Sequence, residues 1–531
     1  MSTAQDYYSD EWTDTDSEIN SDDLMAIDSD DGSDDSSDDD SDDVSELDRD
    51  VFGPLVDITE ESIIALATRV AKDVLHVVPG KAELLNTVSG SYNIVHIVQL
   101  ETVKLVIRIP ATGWGDGMTK AAEDALSSQV ATMRFIKEQT GAPVPEVYSW
   151  DPTNNNEISA PFICMSFVTG ETVSSVWFKD SMDDEAREQV RLNILTSIAT
   201  IMAKFSSMTF DKMGSLMQAE DGSFFLGPMF EWVENDDDSV HAKATRTYFS
   251  MDELFACSIE SGSTGNAWDR AEDKLLKVFL ENSPLLHYHS RFVLCPPDFD
   301  SQNVLVDEKG NVTGLIDWDH CQTMPPHLGY AAYPGWLTRD WDPLMYGWPH
   351  YQKTEDSPET LQRYREHYNK EMCKALSGQG DCGVTQDSHI AEAIAIAAFN
   401  SMNRLEICCK FVQVALGIDK DDSISVVLDI GEDDYDKGKW NELEDKLKAL
   451  IIKLSPWDAK REKESIIGSP VCNESAKTRC VKKQHLAICG GCNKPFSLKH
   501  NRRCPFCLGR DIKEEKRHAR EDAIQEEEEE E

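Results

Sequence analysis

The sequence predicts an α+β protein of two lobes, a small β-rich lobe followed by a larger helical one, set between acidic ends. Three observations predict it. β-Branched runs fill the chain between about residues 80 and 110, helical patterns dominate from about 170 to 418, and a short β pair near residue 310 carries polar and acidic groups at its open end. With 531 residues, 40% apolar and 8% aromatic, the chain can fill a sizeable core and form about two to four folded units.

The charge is unevenly spread. Residues 1–50 hold 21 acids against one base, and residues 511–531 hold 11 acids against four bases, so the two ends carry 27 of the 47 excess negative charges. Such ends repel phosphate backbones and anionic lipids, which excludes a generic polyanion-binding surface but not a local basic site. Met1 is followed by acids rather than a basic-then-apolar leader, and no run of about 18 apolar residues occurs. A soluble protein of the cytoplasm and/or nucleus, with no membrane partner, is expected. In a reducing compartment most of the 14 cysteines read as buried thiols.

Residues 1–50, centred on SDDGSDDSSDDDSDD, are strongly acidic and poorer in apolar residues than the chain as a whole, and read as a disordered acidic arm. Ser36, Ser37 and Ser45 each precede an acid by three residues, which suits an acidophilic protein kinase; solubility explains the tract equally well. Residues 55–168 form the first lobe. Tyr92–Leu100 and Val103–Ile109 read as strands, Thr119–Gln139 as a helix ended by Pro143 and Pro145, and Pro161–Val168 as a buried strand. Residues 169–418 form the helical lobe, where Ser388–Leu416 reads as one long buried helix or a pair. Residues 419–485 read as an acidic linker followed by an amphipathic helix with Leu443, Leu447, Leu450, Ile451 and Leu454 on one face. Residues 486–510 hold a cysteine array, and residues 511–531 are an acidic, disordered tail.

The densest chemistry lies between Leu294 and Asp319. Val304–Val306 and Val312–Ile316 are apolar β runs joined by Asp307-Glu-Lys-Gly-Asn311, a turn composition. Folding back brings Asn303, before the first run, beside Asp317, after the second. One amide oxygen and one carboxylate then converge, which suits Mg²⁺ with phosphate oxygens completing its shell. Asp298, five residues before Asn303, could accept a proton from a hydroxyl. An ordinary hairpin with acidic loops accounts for each residue singly; the joint spacing matches the D-x-x-x-x-N loop and metal-binding Asp of kinase-type phosphoryl transferases.

The segment VLCPPDFDSQNVLVDEKGNVTGLIDWD, running on to GYAAYPGWLTRDWDP, resembles the aminoglycoside phosphotransferase and choline kinase-like family, especially its fungal-type group. The resemblance extends more faintly from about residue 80 to 415. It implies a protein-kinase-like fold with ATP in the cleft, Asp298 as catalytic base, and Asn303 and Asp317 on Mg²⁺. It also implies a phosphate-covering loop at Gly90, Ser91 and Asn93, Arg108 in place of the strand-three lysine, and a linker at Ser166–Val168, its backbone meeting adenine. The phosphate acceptor would be a small molecule whose identity is not readable. Trp318, Trp336, Trp341 and Trp348 are candidate pocket residues, with core packing as the default for each.

Several positions depart from the family pattern. Pro296 stands where a histidine is usual, and Gln129 stands where a glutamate partner for the strand-three cation is expected; Glu123 points off that face. Because no A-P-E signature follows Asp317, a protein kinase is disfavoured. These departures keep open an inactive kinase-like scaffold whose working part is the cysteine module.

That module is Cys489-Gly-Gly-Cys492, eleven residues, then Cys504-Pro-Phe-Cys507. Two such knuckles place four thiolates around one Zn²⁺ with no open position, as in a small structural zinc ribbon. Residues 471–510 hold nine bases and one acid, and Phe496 and Phe506 offer stacking faces. A protein or nucleic-acid contact is one reading; masking by the chain's own acidic ends is the other.

Overall fold

The computed structural model describes residues 47–234, 240–258, 265–283, 285, 288 and 291–452, and the backbone of Leu486–Ile488 and Pro495–Ser497. The chain divides into two units, Met1–Leu454 and Ser455–Glu531.

In the first unit, α1 (Arg49–Phe52) precedes α2 (Glu60–Asp73), whose cap Thr59 accepts a hydrogen bond from the Ser62 amide. Ile63, Leu66, Ala67 and Val70 recur at helical spacing and are fully buried. They lie against a five-stranded antiparallel sheet of β1 (Ala82–Ser89), β2 (Asn93–Leu100), β3 (Val103–Pro110), β4 (Val147–Asp151) and β5 (Phe162–Ser166), ordered β1-β2-β3-β5-β4. Leu105, Ile107 and Ile109 of β3 face this layer. Side chains alternate along a strand, so Arg108 lies on the opposite face. There α3 (Lys120–Thr140) packs, capped by Thr119 and ended by Gly141 at φ +61°, within a residue of the expected bounds.

The chain then enters the larger region. β6 (Glu171–Thr172) and α4 (Val173–Trp177) lead to α5 (Asp184–Ala203). The helical reading beyond residue 170 fails over the next forty or so residues. They form short strands β7 (Thr209–Phe210), β8 (Ser215–Gln218), β9 (Phe224–Gly227), β10 (Phe230–Glu234) and β11 (Val240–Ala244), with hairpins β8-β9 and β10-β11. Gly222 at φ +85° makes the first hairpin's turn. Each strand is too short for its alternation to stand out from a helical period.

Next come α6 (Met251–Ser258), α7 (Ala267–Asn282), β12 (Phe292–Cys295), β13 (Val304–Val306), β14 (Val312–Leu315), β15 (Gln322–Met324) and α8 (Pro358–Ala375). Residues 388–416 are a pair, α9 (Ser388–Phe399) and α10 (Ser401–Leu416), divided at Asn400.

The supposed linker after 418 differs from expectation. Asp419 caps α11 (Lys420–Glu432), and Val427 and Ile430 are buried with α7, α9 and α10. The acids lie on its solvent face, and composition alone does not register which face they occupy. α12 (Lys437–Ile452) completes this layer through buried Leu443, Leu447 and Ile451. Among the described residues no helix is long and apolar enough to cross a membrane.

In the second unit, β16 (Leu486–Ile488) pairs antiparallel with β17 (Pro495–Ser497). Cys489, Cys492, Cys504 and Cys507, residues 1–46 of the acidic arm with Ser36, Ser37 and Ser45, and the acidic tail lie outside the described residues. The last four residues assigned to that arm are structured instead, with Leu47 packed on the core and Asp48 capping α1.

Candidate active site

The β13-β14 hairpin is built by its turn. Asp307 Oδ1 accepts from the Lys309 and Asn311 amides at 2.9 Å each, and the Asp307 amide donates to the Asn311 carbonyl at 2.9 Å. Gly310 (φ +82°) is required twice over: a Cβ there would lie 2.6 Å from the Val190 carbonyl of α5. Pairing Val304 with Leu315 and Leu305 with Gly314 fixes the register, and the Ile316 amide donates to the Asn303 carbonyl at 3.0 Å. That bond sets Asn303 and Asp317 side by side at the open end.

Asp298, Asn303 and Asp317 line one cleft, floored by Leu315 and Trp318. Asp298 Oδ2 accepts from Asn303 Nδ2 at 3.1 Å and from Gln302 Nε2 at 3.0 Å; Asn303 Nδ2 also donates to the Asp298 carbonyl at 2.9 Å. Asp298 (φ +39°) and Asp317 (φ +61°) both hold left-handed backbone, a conformation costing roughly 1 kcal/mol or more that concentrates at functional sites. Both are exposed. Pro296, where the family has histidine, lines the same cleft. The loop is anchored from beyond: Gly335 donates to the Phe299 carbonyl at 2.8 Å, and Arg339 pairs with Asp300 at 3.0 Å.

Arg108 reaches this site from β3. Its Nη2 donates to Asp317 Oδ1 at 2.7 Å, while Nη1 and Nη2 donate to Asp319 Oδ1 and Oδ2 at 2.8 and 3.0 Å. Asn93 Nδ2 adds a bond to Asp319 Oδ2 at 2.8 Å. Burial opposes the Arg108 charge, yet Asp317 and Asp319 together hold its pKa above the ordinary arginine value. Burial also pushes the Asp319 carboxyl upward against the pull of Arg108 and Asn93.

Sequence reasoning missed Asp319. The only local signal was the second acid of the D-W-D triplet, two residues after Asp317. It also assigned Asn93 to the phosphate loop, whereas its side chain holds Asp319.

The other loop and linker residues are placed as follows. Gly90 and Ser91 sit exposed on the β1-β2 turn, with open space around Gly90. Tyr92 ties that turn to the β10-β11 hairpin, donating to Glu234 at 2.7 Å and stacking on Trp232 at 5.0 Å between centroids. Trp232 in turn meets His320 at 4.2 Å. Ser166 Oγ accepts from the Glu146 amide at 2.9 Å. Val168 lies against Gly314, where a Cβ would come within 2.7 Å of its side chain, so linker and hairpin touch. Gln129 is buried and lines the cavity that Arg108 and Asp319 share, while Glu123 pairs with Lys120. Trp318, Trp336 and Trp341 are core residues, and Trp348 is half-buried.

Residues 93–343 match the sequence model of the phosphotransferase enzyme family, APH, and the β-sheet lobe followed by a helical region is the kinase-like fold of that class. Among curated relatives, altered inheritance of mitochondria protein 9 of Clavispora lusitaniae is 26% identical over 288 residues, 44% of this chain and 46% of the relative. Its namesake in Meyerozyma guilliermondii is 31% identical over 246 residues, 45% of this chain and 39% of the relative. The chain thus spans less than half the length of these relatives. Among solved structures, aminoglycoside phosphotransferase APH(4)-Ia aligns with a TM-score of 0.37 and 14% identity, over 71% of this chain and 98% of that one. A thermostable mutant of it, in ternary complex with AMP-PNP and hygromycin B, aligns with a TM-score of 0.35 and 12% identity, over 74% and 99%. The relatives are named as mitochondrial proteins, which overturns the expectation of a cytoplasmic or nuclear location.

Proposed function

We propose that this chain transfers the γ-phosphoryl group of ATP, with Mg²⁺, to a hydroxyl group of a small molecule. The observation that carries the reading is the hairpin register that sets Asn303 beside Asp317 in one cleft with Asp298. The residues fit the cation. With its nitrogen spent on Asp298, the Asn303 amide offers its oxygen, and the Asp317 carboxylate lies next to it. Among the described residues no cluster of three or more His, Cys, Asp or Glu could hold a metal. A two-ligand site suits Mg²⁺, which keeps waters and takes the rest of its shell from substrate phosphates. When bound, Mg²⁺ would neutralise charge on the phosphate oxygens.

The chain's own groups would do the rest. Asp298, held by Gln302 and Asn303, orients the acceptor hydroxyl and takes its proton. The oxygen–phosphorus bond forms as the bond from the γ-phosphorus to the β-phosphate bridge breaks, and ADP leaves. Arg108 supplies fixed positive charge beside the phosphates, and the Ser166–Val168 backbone and the Gly90–Ser91 turn flank the nucleotide. Screening hydroxylated metabolites for ADP release with ATP and Mg²⁺ tests the reading. An Asp317→Ala chain that turns over nucleotide like its parent would end it.

The second unit carries a separate reading, a structural Zn²⁺ on Cys489, Cys492, Cys504 and Cys507. Its support is the four-cysteine spacing and the β16-β17 hairpin that brackets the first knuckle. The basic residues beside it suit a protein or nucleic-acid contact, and a salt-dependent mobility shift with labelled RNA or DNA checks the latter.

A further inference from the structure

In kinase-type enzymes the cation on the third strand is held by a glutamate on the helix behind it. Here the equivalent helix, α3, presents Gln129, which is buried and neutral. A guanidinium that is only 10% exposed still needs a fixed anionic partner, because an unpaired buried charge is costly. The chain supplies one from another direction.

We infer that Asp319 is the positioning residue for Arg108, replacing the missing α3 carboxylate and aiming the guanidinium at the phosphates of ATP; the inference rests on the phosphotransferase reading above. The two carboxylates at Arg108 are unequal. Asp319 binds both terminal nitrogens, is itself held by Asn93, and is 16% exposed. Asp317 takes one bond and is 40% exposed. Asp319 is therefore the lasting partner and Asp317 the exchangeable one, free to turn to a cation while Arg108 stays in place. The bidentate geometry also fixes the plane of the guanidinium, which a lysine could not do. The arrangement makes phosphate gripping depend on the exit of the β13-β14 hairpin, the same segment that carries Asp317, and not on the pose of α3.

The test uses the full chain and needs no acceptor. ATP affinity is measured by titration calorimetry for the parent, Asp319→Asn, Arg108→Lys, the double variant and Asn93→Ala, with ligand-free urea unfolding as a check on folding. Asp319→Asn should weaken ATP binding about tenfold or more. The double variant should bind no more weakly than Arg108→Lys alone, because both changes remove one route. Asn93→Ala, a gentler perturbation of the same carboxylate, should weaken binding two- to fivefold, and it decides the matter if Asp319→Asn fails to fold. A parent that binds ATP while Asp319→Asn and Asn93→Ala bind it equally well overturns this inference alone, as does additive loss in the double variant. A parent that does not bind ATP overturns the phosphotransferase reading and this inference with it.

Discussion

Replacing Asp340 by alanine should destabilise the protein severely, through a buried pair far from the reacting groups in sequence. Arg365 of α8 donates from Nη1 and Nη2 to the two Asp340 oxygens at 2.6 and 3.1 Å, and from Nη1 to the Leu337 carbonyl at 2.7 Å. The two side chains are 4% and 6% exposed. Arg365 Nε has no acceptor among the described residues, and once the carboxylate goes only the neutral Leu337 carbonyl and Gln362 Oε1 (3.3 Å from Nη2) remain to the guanidinium, with no anion to balance it. Removing one partner of such a pair costs about 3–5 kcal/mol, a large share of the roughly 5–15 kcal/mol that holds a protein folded. The damage should reach the site, because the 335–342 segment that Asp340 anchors also holds Phe299 through Gly335 and Asp300 through Arg339. Urea unfolding of Asp340→Ala measures the loss, and ADP release at a temperature where the variant is still folded measures the reach. The double change Asp340→Leu with Arg365→Met should recover most of the stability, since an apolar pair of similar volume avoids the desolvation penalty. A loss below about 1 kcal/mol in the single variant, or a double variant worse than the single, would refute the reasoning.

Three further outcomes are expected. Asp298→Asn should lower ADP formation by roughly 10²–10⁴-fold with little change in ATP affinity, as loss of a general base does; steady-state kinetics and calorimetry read the two separately. Gly310→Ala forces a side chain into left-handed backbone and against the Val190 carbonyl, so thermal unfolding should reveal a loss of about 2 kcal/mol or more. Burial lowers the pKa of His96 from 6.5 to about 4, so the unfolded chain takes the proton first. Stability should fall as pH drops from about 6.5 and level off near 4, a loss of about 3 kcal/mol, and His96→Gln should flatten that part of a urea-against-pH series.

What the sequence made legible was mostly local. A turn of composition D-E-K-G-N between two apolar runs folds them back on each other, so the adjacency of Asn303 and Asp317 was readable from residue order, although the register shift between Leu305 and Val306 was not. The end of α3 followed from two prolines, whereas 388–416 read only as one helix or a pair and the break at Asn400 was not placed. What stayed hidden depended on long-range partners or on which face a residue occupies. The Arg108–Asp319 pair joins positions 211 residues apart, and neither residue carries a local mark of the other. α11 is acidic in composition but buries Val427 and Ile430, so charge counting mistook a packed helix for a linker. The strands between β7 and β11 are two to five residues long, below the length at which alternation separates from helical periodicity.

Those overlooked strands explain how α3 holds its place without a charge to bind it. In the kinase arrangement a glutamate fastens this helix to the strand-three cation. Here Ala125 of α3 is buried with Phe230 and Ala242 of the β10-β11 hairpin, and Ala121 and Ala122 pack at the rim. Ser128 donates to the Leu216 carbonyl of β8 at 2.8 Å. Small residues on one face of α3 let the hairpin's backbone come close, and the hairpin's Trp232 then reaches past the helix to Tyr92 and His320. These contacts hold α3 without any charge at position 129, where Gln129 is buried. A neutral residue there leaves Arg108 needing a carboxylate from elsewhere, and the chain leaving β14 delivers one two residues after Asp317. Gln129, Arg108 and Asp319 line one cavity, and the carboxylate that meets the guanidinium there comes from the chain after β14 and not from α3.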